Sequence, residues 1–227
     1  MQNVGVHLRG PSRVLAAVAV AALTMSGCSG DGEPDAVTSA SSSPSPSTTV
    51  SIPADASLTE QGTELSFGDS GTVLFEPDQN RGTVLDLTVE AAREGSLDDF
   101  KGFILDDEYK KQASYYYVDV VVENLGEGDV GGVPVPLWGV NAENTLLPAV
   151  NFTTKFPTCP SQQLPDTFGA GDTFETCLVF LSPEHGTLDA LSYRPSQEFN
   201  PITWTGDIQP AEKAEKDKQS DKKKQRQ

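Results

Sequence analysis

The sequence predicts an all-β sandwich domain, carried between two segments of very different composition. Most periodic stretches between residues 58 and 210 alternate apolar and polar side chains, which is the spacing of a half-buried strand. Clusters of Gly, Pro, Asn and Asp separate these stretches, as turns separate strands. A domain of about 150 residues is also long enough to bury its own hydrophobic core.

The first 27 residues have the three zones of a secretory signal peptide. Arg9 and Arg13 lie in a leader without acids, and the apolar run at 14–23 is too short to cross a bilayer as a helix. Residues 24–28, Thr-Met-Ser-Gly-Cys, resemble the lipobox of bacterial lipoproteins. We expect cleavage before Cys28, lipid such as palmitate on this cysteine, and a position on the outer face of the plasma membrane. The alternative is an ordinary secretory signal that leaves Cys28 as a free thiol.

Two segments that flank the domain are predicted to be disordered. Residues 28–57 form a stalk rich in Ser, Pro and Thr, a composition that buries too little apolar surface to offset chain entropy. Such a stalk would hold the domain about 30 Å from the membrane. Residues 211–227 carry six Lys and one Arg against four acids. We interpret this tail as a solvated end, with contact to anionic lipid or wall polymers as the alternative.

The charge of the chain between signal and tail argues against one class of partner. Residues 28–210 contain 7 basic and 29 acidic side chains, a difference of −22. Proteins that bind nucleic acids present a basic surface. We therefore expect no nucleic-acid partner.

The strands are predicted in order along residues 58–210. Residues 63–67 and 72–76 flank the turn-rich quartet 68–71 and are predicted to form a hairpin, followed by a half-buried strand at 83–89. Residues 135–140 and 146–152 are predicted to form a second hairpin. Three further strands are predicted at 173–181, 188–193 and 201–205. The last of these is expected as an edge strand or as ordered coil.

The strongest strand signal lies at residues 115–124. Tyr116, Val118, Val120 and Val122 share one predicted face, and polar side chains such as Asp119 lie on the other. We expect the tyrosine and valine face to belong to the core.

One short helix is expected at residues 96–103. Ser96 is a good N-cap, and Asp98 and Asp99 place negative charge in the first turn. Seven to nine short strands with this single helix are typical of an immunoglobulin-like β-sandwich.

Three segments of the domain resemble a bacterial lipoprotein family of the actinobacterial type. They are the valine-rich strand that ends in Asn at 116–124, the glycine-led strand at 171–180, and the closing segment 188–195. The resemblance covers residues 60–205 and is to an uncharacterised telokin-like, immunoglobulin-like domain. It implies this fold and an extracytoplasmic position, and it supplies no catalytic residues.

The three cysteines are accounted for by two roles. Cys28 takes the lipid, and Cys159 and Cys177 remain to form a disulfide, which an oxidising compartment allows. A zinc site is a poor alternative, because His185 is the single histidine after the signal peptide.

Few residues indicate catalysis or metal binding. His185 lies in a predicted exposed turn, and the chain has no Gly-x-Ser-x-Gly elbow. We expect no enzymatic activity, no catalytic residues and no cofactor. Asp98, Asp99 and residues 106–108 offer oxygen ligands for Ca²⁺, but their spacing differs from that of known calcium loops. We interpret them as a solvated acidic face, and we expect no metal site.

The aromatic residues give the candidate interface. Tyr115 and Tyr117 point away from Tyr116 on a strand, so they are predicted to cover an exposed sheet face that could bind a partner. The alternative is stabilisation of the sheet by cross-strand aromatic pairs. Trp138 and Trp204 are interpreted as packing residues.

The sequence therefore predicts a non-enzymatic interaction module, anchored by lipid and facing an envelope protein or a wall polymer. The alternative function is a small-ligand or metal-ion carrier that delivers its cargo to a membrane system.

Overall fold

A computed structural model describes residues 50–103 and 108–211. The predicted signal peptide, Cys28, most of the stalk and nearly all of the Lys-rich tail lie outside the described residues, so their predictions stay predictions. Within the described residues, no helix reaches the length and apolar character that crossing a membrane requires.

The described residues confirm the predicted all-β sandwich. The strands are β1 (Glu64–Ser66), β2 (Ser70–Asp78), β3 (Arg81–Glu94), β4 (Ser114–Asn124), β5 (Trp138–Val140), β6 (Leu146–Pro148), β7 (Thr173–Ser182), β8 (Ala190–Tyr193), β9 (Ile202–Thr205) and β10 (Ile208–Gln209). The helical elements are short 3₁₀ turns at Leu97–Phe100 and Pro183–His185 and one α-helix, α1, at Glu108–Gln112.

Two sheets pack around one main core. The first sheet has the order β1-β9-β8-β5-β6, and the second has the order β10-β3-β4-β7 with β2 also paired to β3. Apolar side chains from both sheets form a single buried cluster, including Leu87, Val122, Phe180, Leu191 and Trp204. This is the immunoglobulin-like arrangement that the alternating strands predict.

Strand β4 matches its prediction closely. Tyr116, Val118, Val120 and Val122 all belong to the main core and are at most 5% exposed. The strand is central, since it pairs antiparallel with both β3 and β7. Its alternation is clear because only one of its faces turns toward the other sheet.

The predicted hairpin of residues 63–67 and 72–76 is wrong. Strand β1 pairs parallel with β9 in the first sheet, whereas β2 pairs antiparallel with β3 in the second. The quartet 68–71 crosses between the sheets and is built around Trp204. The indole Nε1 of Trp204 donates to the Asp69 carbonyl at 2.9 Å, and any side chain at Gly71 would lie 2.7 Å from the Trp204 ring.

The second predicted hairpin is confirmed, with shorter strands. Strand β5 pairs antiparallel with β6, and Asn144 takes the positive φ of 56° that the turn requires. Strand β9 is an inner strand, between β1 and β8, so the prediction of an edge strand or coil at 201–205 is wrong. Burial of Ile202 and Trp204 explains the difference, because both side chains enter the core.

The predicted helix at 96–103 is a single 3₁₀ turn. The Ser96 side chain accepts from the Asp98 backbone, and the Asp99 side chain accepts from the Ser96 backbone, which makes a capping box. The helix ends early, at Phe100, whose ring is buried. Helix α1 was not predicted and adds a second short helical element.

Candidate functional site

Tyr115 and Tyr117 do not form an exposed interface. They point away from the main core as predicted, but they are only 3% and 2% exposed. They belong to a second buried group, here called the outer aromatic cluster, which consists of Phe100, Tyr115, Tyr117, Phe156, Cys159, Cys177 and Val179. The 3₁₀ turn at Leu97–Phe100 and the loop that carries Phe156 cover this face of the sheet. The prediction of an exposed aromatic surface is therefore wrong.

Stacked rings and polar contacts fix the outer aromatic cluster. Phe100 stacks on Phe156 with ring centroids 4.8 Å apart and lies 4.3 Å from the Tyr115 ring. The Tyr117 hydroxyl donates to Asp99 Oδ2 at 3.0 Å. Burial, followed by the nearby Asp99 charge, raises the pKa of Tyr117 well above its ordinary value. The cluster is a second core, so little surface of Tyr115 and Tyr117 is accessible to a partner.

The predicted disulfide between Cys159 and Cys177 is confirmed. It ties the loop of Phe156 to β7 within the outer aromatic cluster. Arg93 lies beside it, with Nη1 2.6 Å from Asp119 Oδ2 and the guanidinium 5.4 Å from the centre of the Tyr117 ring. The disulfide thus links the loop of Phe156, which covers the outer face of the second sheet, to a strand of that sheet.

A small cavity, here called the aromatic pocket, opens beside this cluster. It has a volume of about 250 Å³. Its aromatic lining residues are Phe100, Phe103, Tyr115 and Phe152, and its polar ones are Lys110, Asn151, Thr153 and Thr154. The aromatic lining suits an apolar or aromatic small molecule.

A larger concave surface, here called the Trp138 groove, is lined by a different set of residues. Residues 75, 77, 81, 133–138 and 148–149 line it, and its volume is about 410 Å³. The lining is mainly apolar, and Arg81 is its single charged side chain. This size and composition are typical of binding sites.

The segment 133–138, Val-Pro-Val-Pro-Leu-Trp, explains why the groove is apolar. Its buried members Val133, Val135 and Leu137 belong to the main core. The intervening residues face outward, so Pro134 and Trp138 are exposed and Pro136 is half-buried. Trp138 is 37% exposed, although it was interpreted as a packing residue, whereas Trp204 is fully buried. The alternation of two prolines and a tryptophan is the sequence signal that could have revealed this site.

Neighbouring strands hold the tryptophan in place. Trp138 lies opposite Pro148 of β6 on one side and opposite Ser192 of β8 on the other. The Tyr193 hydroxyl donates to the Leu74 carbonyl, which joins β8 to β2 near the wall formed by Phe75. The groove therefore lies between the two sheets, on ordered strands.

Arg81 is fixed at the other wall of the groove. Its Nε donates to Asp78 Oδ2 at 2.8 Å, and its Nη1 donates to the Gly131 carbonyl at 3.0 Å. The backbone N–H of Asn80 and then the Arg81 side chain lower the pKa of Asp78. A positioned guanidinium beside apolar walls can orient a carbonyl-bearing ligand.

The remaining candidate residues are not brought together into a site. His185 is exposed in the 3₁₀ turn at Pro183–His185. Asp99 is engaged in the capping box, and residues 106–107 lie outside the described residues. Among residues 50–103 and 108–211, no three His, Cys, Asp or Glu side chains are grouped so that they could hold a metal ion.

Comparison with known proteins gives little similarity. No family model matches the chain. No curated protein matches it either. Among solved structures, MPT63, a secreted protein from Mycobacterium tuberculosis, is similar with a TM-score of 0.45 and 11% sequence identity, over 65% of this chain and 100% of that chain. The assignment of the fold rests on this chain's own strands and sheets.

Proposed function

We propose that the protein is a lipid-anchored, extracytoplasmic binding module whose Trp138 groove holds an extended, proline-containing segment of an envelope protein. The groove carries the proposal, because it combines about 410 Å³ of concave, mainly apolar surface with an exposed tryptophan. Grooves lined by aromatic residues bind proline-rich segments, since such segments are extended before binding and lose little entropy.

The rest of the chain supports this assignment. The signal peptide and the residues before Cys28 resemble those of a lipoprotein, and the Cys159–Cys177 bond suits an oxidising compartment. The acidic chain is unfavourable for direct contact with anionic lipid, so a stalk that separates domain and membrane is consistent with the charge. The module acts by binding, without catalysis.

Cross-linking on intact cells tests the proposal. Four forms are compared: the native chain, the Cys28→Ala form without an anchor, Trp138→Ala, and Leu97→Ala. Leu97 is the matched control, because it is 46% exposed and lies on the 3₁₀ turn outside the groove. Mass spectrometry identifies the captured proteins.

We expect one envelope protein with the native chain and with Leu97→Ala, and its loss with Trp138→Ala. Loss with Cys28→Ala shows that the anchor positions the module. Equal capture by native chain and Trp138→Ala contradicts the assignment to this groove, and capture of wall polymer instead of protein contradicts the class of partner.

The aromatic pocket favours a second candidate function, a carrier of a small apolar ligand. Four aromatic rings contribute to the lining of about 250 Å³, and ligand cavities that combine such rings with a few polar groups hold aromatic or acyl groups. Native mass spectrometry of the Cys28→Ala form tests it. A stoichiometric bound molecule that is lost with Phe152→Ala supports the carrier, and an empty protein contradicts it.

A further inference from the structure

We propose that Arg81 makes the Trp138 groove selective for proline-containing segments, because its guanidinium donates hydrogen bonds to the free carbonyl groups of such a segment. This inference rests on the proposed function, since it concerns the same groove. It goes further in naming the residue that recognises the backbone of the partner, whereas Trp138 provides the apolar contact.

Two acceptors hold the guanidinium of Arg81 in a fixed position. Its Nε donates to Asp78 Oδ2 at 2.8 Å, and its Nη1 donates to the Gly131 carbonyl oxygen at 3.0 Å. Asp78 is itself held, because its Oδ1 accepts from the backbone N–H groups of Asn80 and Arg81. A donor that is already in position loses less conformational entropy when a ligand binds.

Close packing fixes the acceptor at Gly131. A Cβ at this position would lie 2.3 Å from the Asp166 carbonyl oxygen and 2.7 Å from that of Pro165, so the two backbone segments are in direct contact. The backbone N–H of Gly132 also donates to the Pro165 carbonyl oxygen at 2.8 Å. The Gly131 carbonyl is thus a defined point to which Arg81 is bonded at the groove wall.

The guanidinium retains donors for a ligand. An arginine side chain has five N–H donors and no acceptor. Within the part of the chain that the structure describes, the bonds to Asp78 and Gly131 are the only hydrogen bonds of this guanidinium, so three N–H groups remain. A proline residue is complementary, because it lacks the backbone N–H and keeps its carbonyl acceptor. A groove whose single charged side chain only donates therefore favours a segment rich in proline.

The extended conformation of a proline-rich segment makes its carbonyl groups accessible. A polyproline II helix has no internal hydrogen bonds, so its carbonyl groups are free to accept from a protein. Gly131, which is bonded to Arg81, precedes Trp138 by seven residues, and seven residues span at most about 25 Å. At about 3.1 Å per residue, a bound segment of about eight residues is long enough to contact both Arg81 and Trp138.

The charges around Arg81 favour a neutral acceptor over a carboxylate. Asp78 is in direct contact with the guanidinium. The pKa of Asp129 is lowered first by the backbone N–H of Phe168, and the charge of Arg81 contributes to the same shift. Two carboxylates thus offset one positive charge, so a third carboxylate from a ligand gains little attraction. A neutral carbonyl needs only a donor.

Isothermal titration calorimetry of the soluble Cys28→Ala chain tests the inference. The ligand is a synthetic eight-residue peptide of alternating Ser and Pro, capped at both ends so that it carries no charge. In a series of related peptides, one backbone carbonyl at a time is replaced by a thiocarbonyl, which is a weaker hydrogen-bond acceptor. Each peptide is titrated into the parent chain, into Arg81→Met and into Arg194→Met. Arg194 is the matched control, because it also donates to backbone carbonyls, those of Ser196 and Gln197, and does not line the groove.

We expect one thiocarbonyl position to weaken binding to the parent chain by about tenfold, as the loss of a hydrogen bond to a charged group does. Arg81→Met should weaken binding of the unmodified peptide by a similar factor. In this variant the sensitive position should no longer differ from the others, whereas Arg194→Met should behave like the parent chain.

Equal affinities of the parent chain and Arg81→Met for every peptide overturn the inference and leave the proposed function intact. If the melting temperature shows that Arg81→Met does not fold, the thiocarbonyl series in the parent chain decides, and equal affinities for all its peptides overturn the inference. Absence of any binding to the parent chain contradicts the proposed function itself, and the inference with it.

Discussion

The hydroxyl of Thr83 donates to Asn124 Oδ1 at 2.6 Å, and both residues are fully buried. The same Asn124 oxygen accepts from the Gly126 backbone, and Nδ2 donates to the carbonyls of Gly128 and Phe168 at 2.8 Å each. One side chain thus satisfies backbone groups of two loops, the one that follows β4 and the one that precedes β7. This explains why a valine-rich strand ends in asparagine here.

Replacing Asn124 by Ala is expected to lower the free energy of unfolding by about 3 kcal/mol, because several buried backbone groups lose their partner at once. The matched variant Thr83→Val removes one hydroxyl and leaves the other bonds of Asn124, so we expect a loss of about 1 kcal/mol. Denaturant titration measures both. A loss in Asn124→Ala no larger than in Thr83→Val contradicts this role.

Gly128 is expected to tolerate no side chain. A Cβ at this position would lie 1.9 Å from the Gly82 carbonyl oxygen, which belongs to the backbone and cannot rotate away. Gly128→Ala should therefore lower the melting temperature clearly. Gly169→Ala is the control, since no atom lies within 4 Å of its added methyl group. Similar melting temperatures for the two variants would show that the close approach is not rigid.

Asp129 should make the fold sensitive to acid. Its Oδ1 accepts from the backbone N–H groups of Gly131 and Phe168, at 2.8 Å and 2.9 Å, and these bonds, Phe168 first, lower its pKa. Because the folded pKa lies below the unfolded one, the carboxylate stabilises the fold above the unfolded pKa of about 3.9. The contribution is lost as the pH falls below that value and through the folded pKa.

The variant Asp129→Asn keeps an acceptor oxygen but does not titrate. We expect it to melt at a lower temperature than the native chain at pH 7 and to show a smaller further decrease between neutral and acid pH. Asp166→Asn controls for the loss of one exposed charge. A native chain and an Asp129→Asn variant with parallel pH profiles would disprove the contribution.

The Cys159–Cys177 bond should contribute to stability through the loop that it closes. The two residues are 18 positions apart, and closing a loop of this size stabilises a fold by about 3 kcal/mol on the chain-entropy model. A Cys159→Ser/Cys177→Ser variant should lose about this amount in denaturant titration. Reduction of the native chain should reproduce the loss, and stability independent of reductant would contradict it.

Local patterns predicted those elements in which apolar side chains repeat along one face. The alternation of β4 is visible in the sequence because polar residues such as Asp119 interrupt one of its faces. The β5–β6 hairpin is predicted by its turn residues. The hairpin at 63–76 was wrong because the turn quartet serves contacts with Trp204, which is distant in sequence. The local sequence pattern does not show that the Trp204 ring packs against Gly71, where a side chain would not fit.

The candidate site was predicted less well than the fold. Tyr115 and Tyr117 were placed on the correct face, but the sequence does not show that Phe100 and Phe156 cover them. The Trp138 groove was missed because an isolated Trp was taken for a packing residue. Its signal, two prolines and a tryptophan at alternate positions, becomes clear only when the core side chains between them are known.

Fluorescence titration tests most directly whether the Trp138 groove binds an extended, proline-containing segment. The soluble Cys28→Ala chain is titrated with a synthetic peptide of alternating Ser and Pro. We predict a saturable blue shift of tryptophan emission, absent in Trp138→Phe, where only the buried Trp204 emits. An unchanged spectrum, or the same shift with a peptide in which Ala replaces every Pro, would contradict the proposed function.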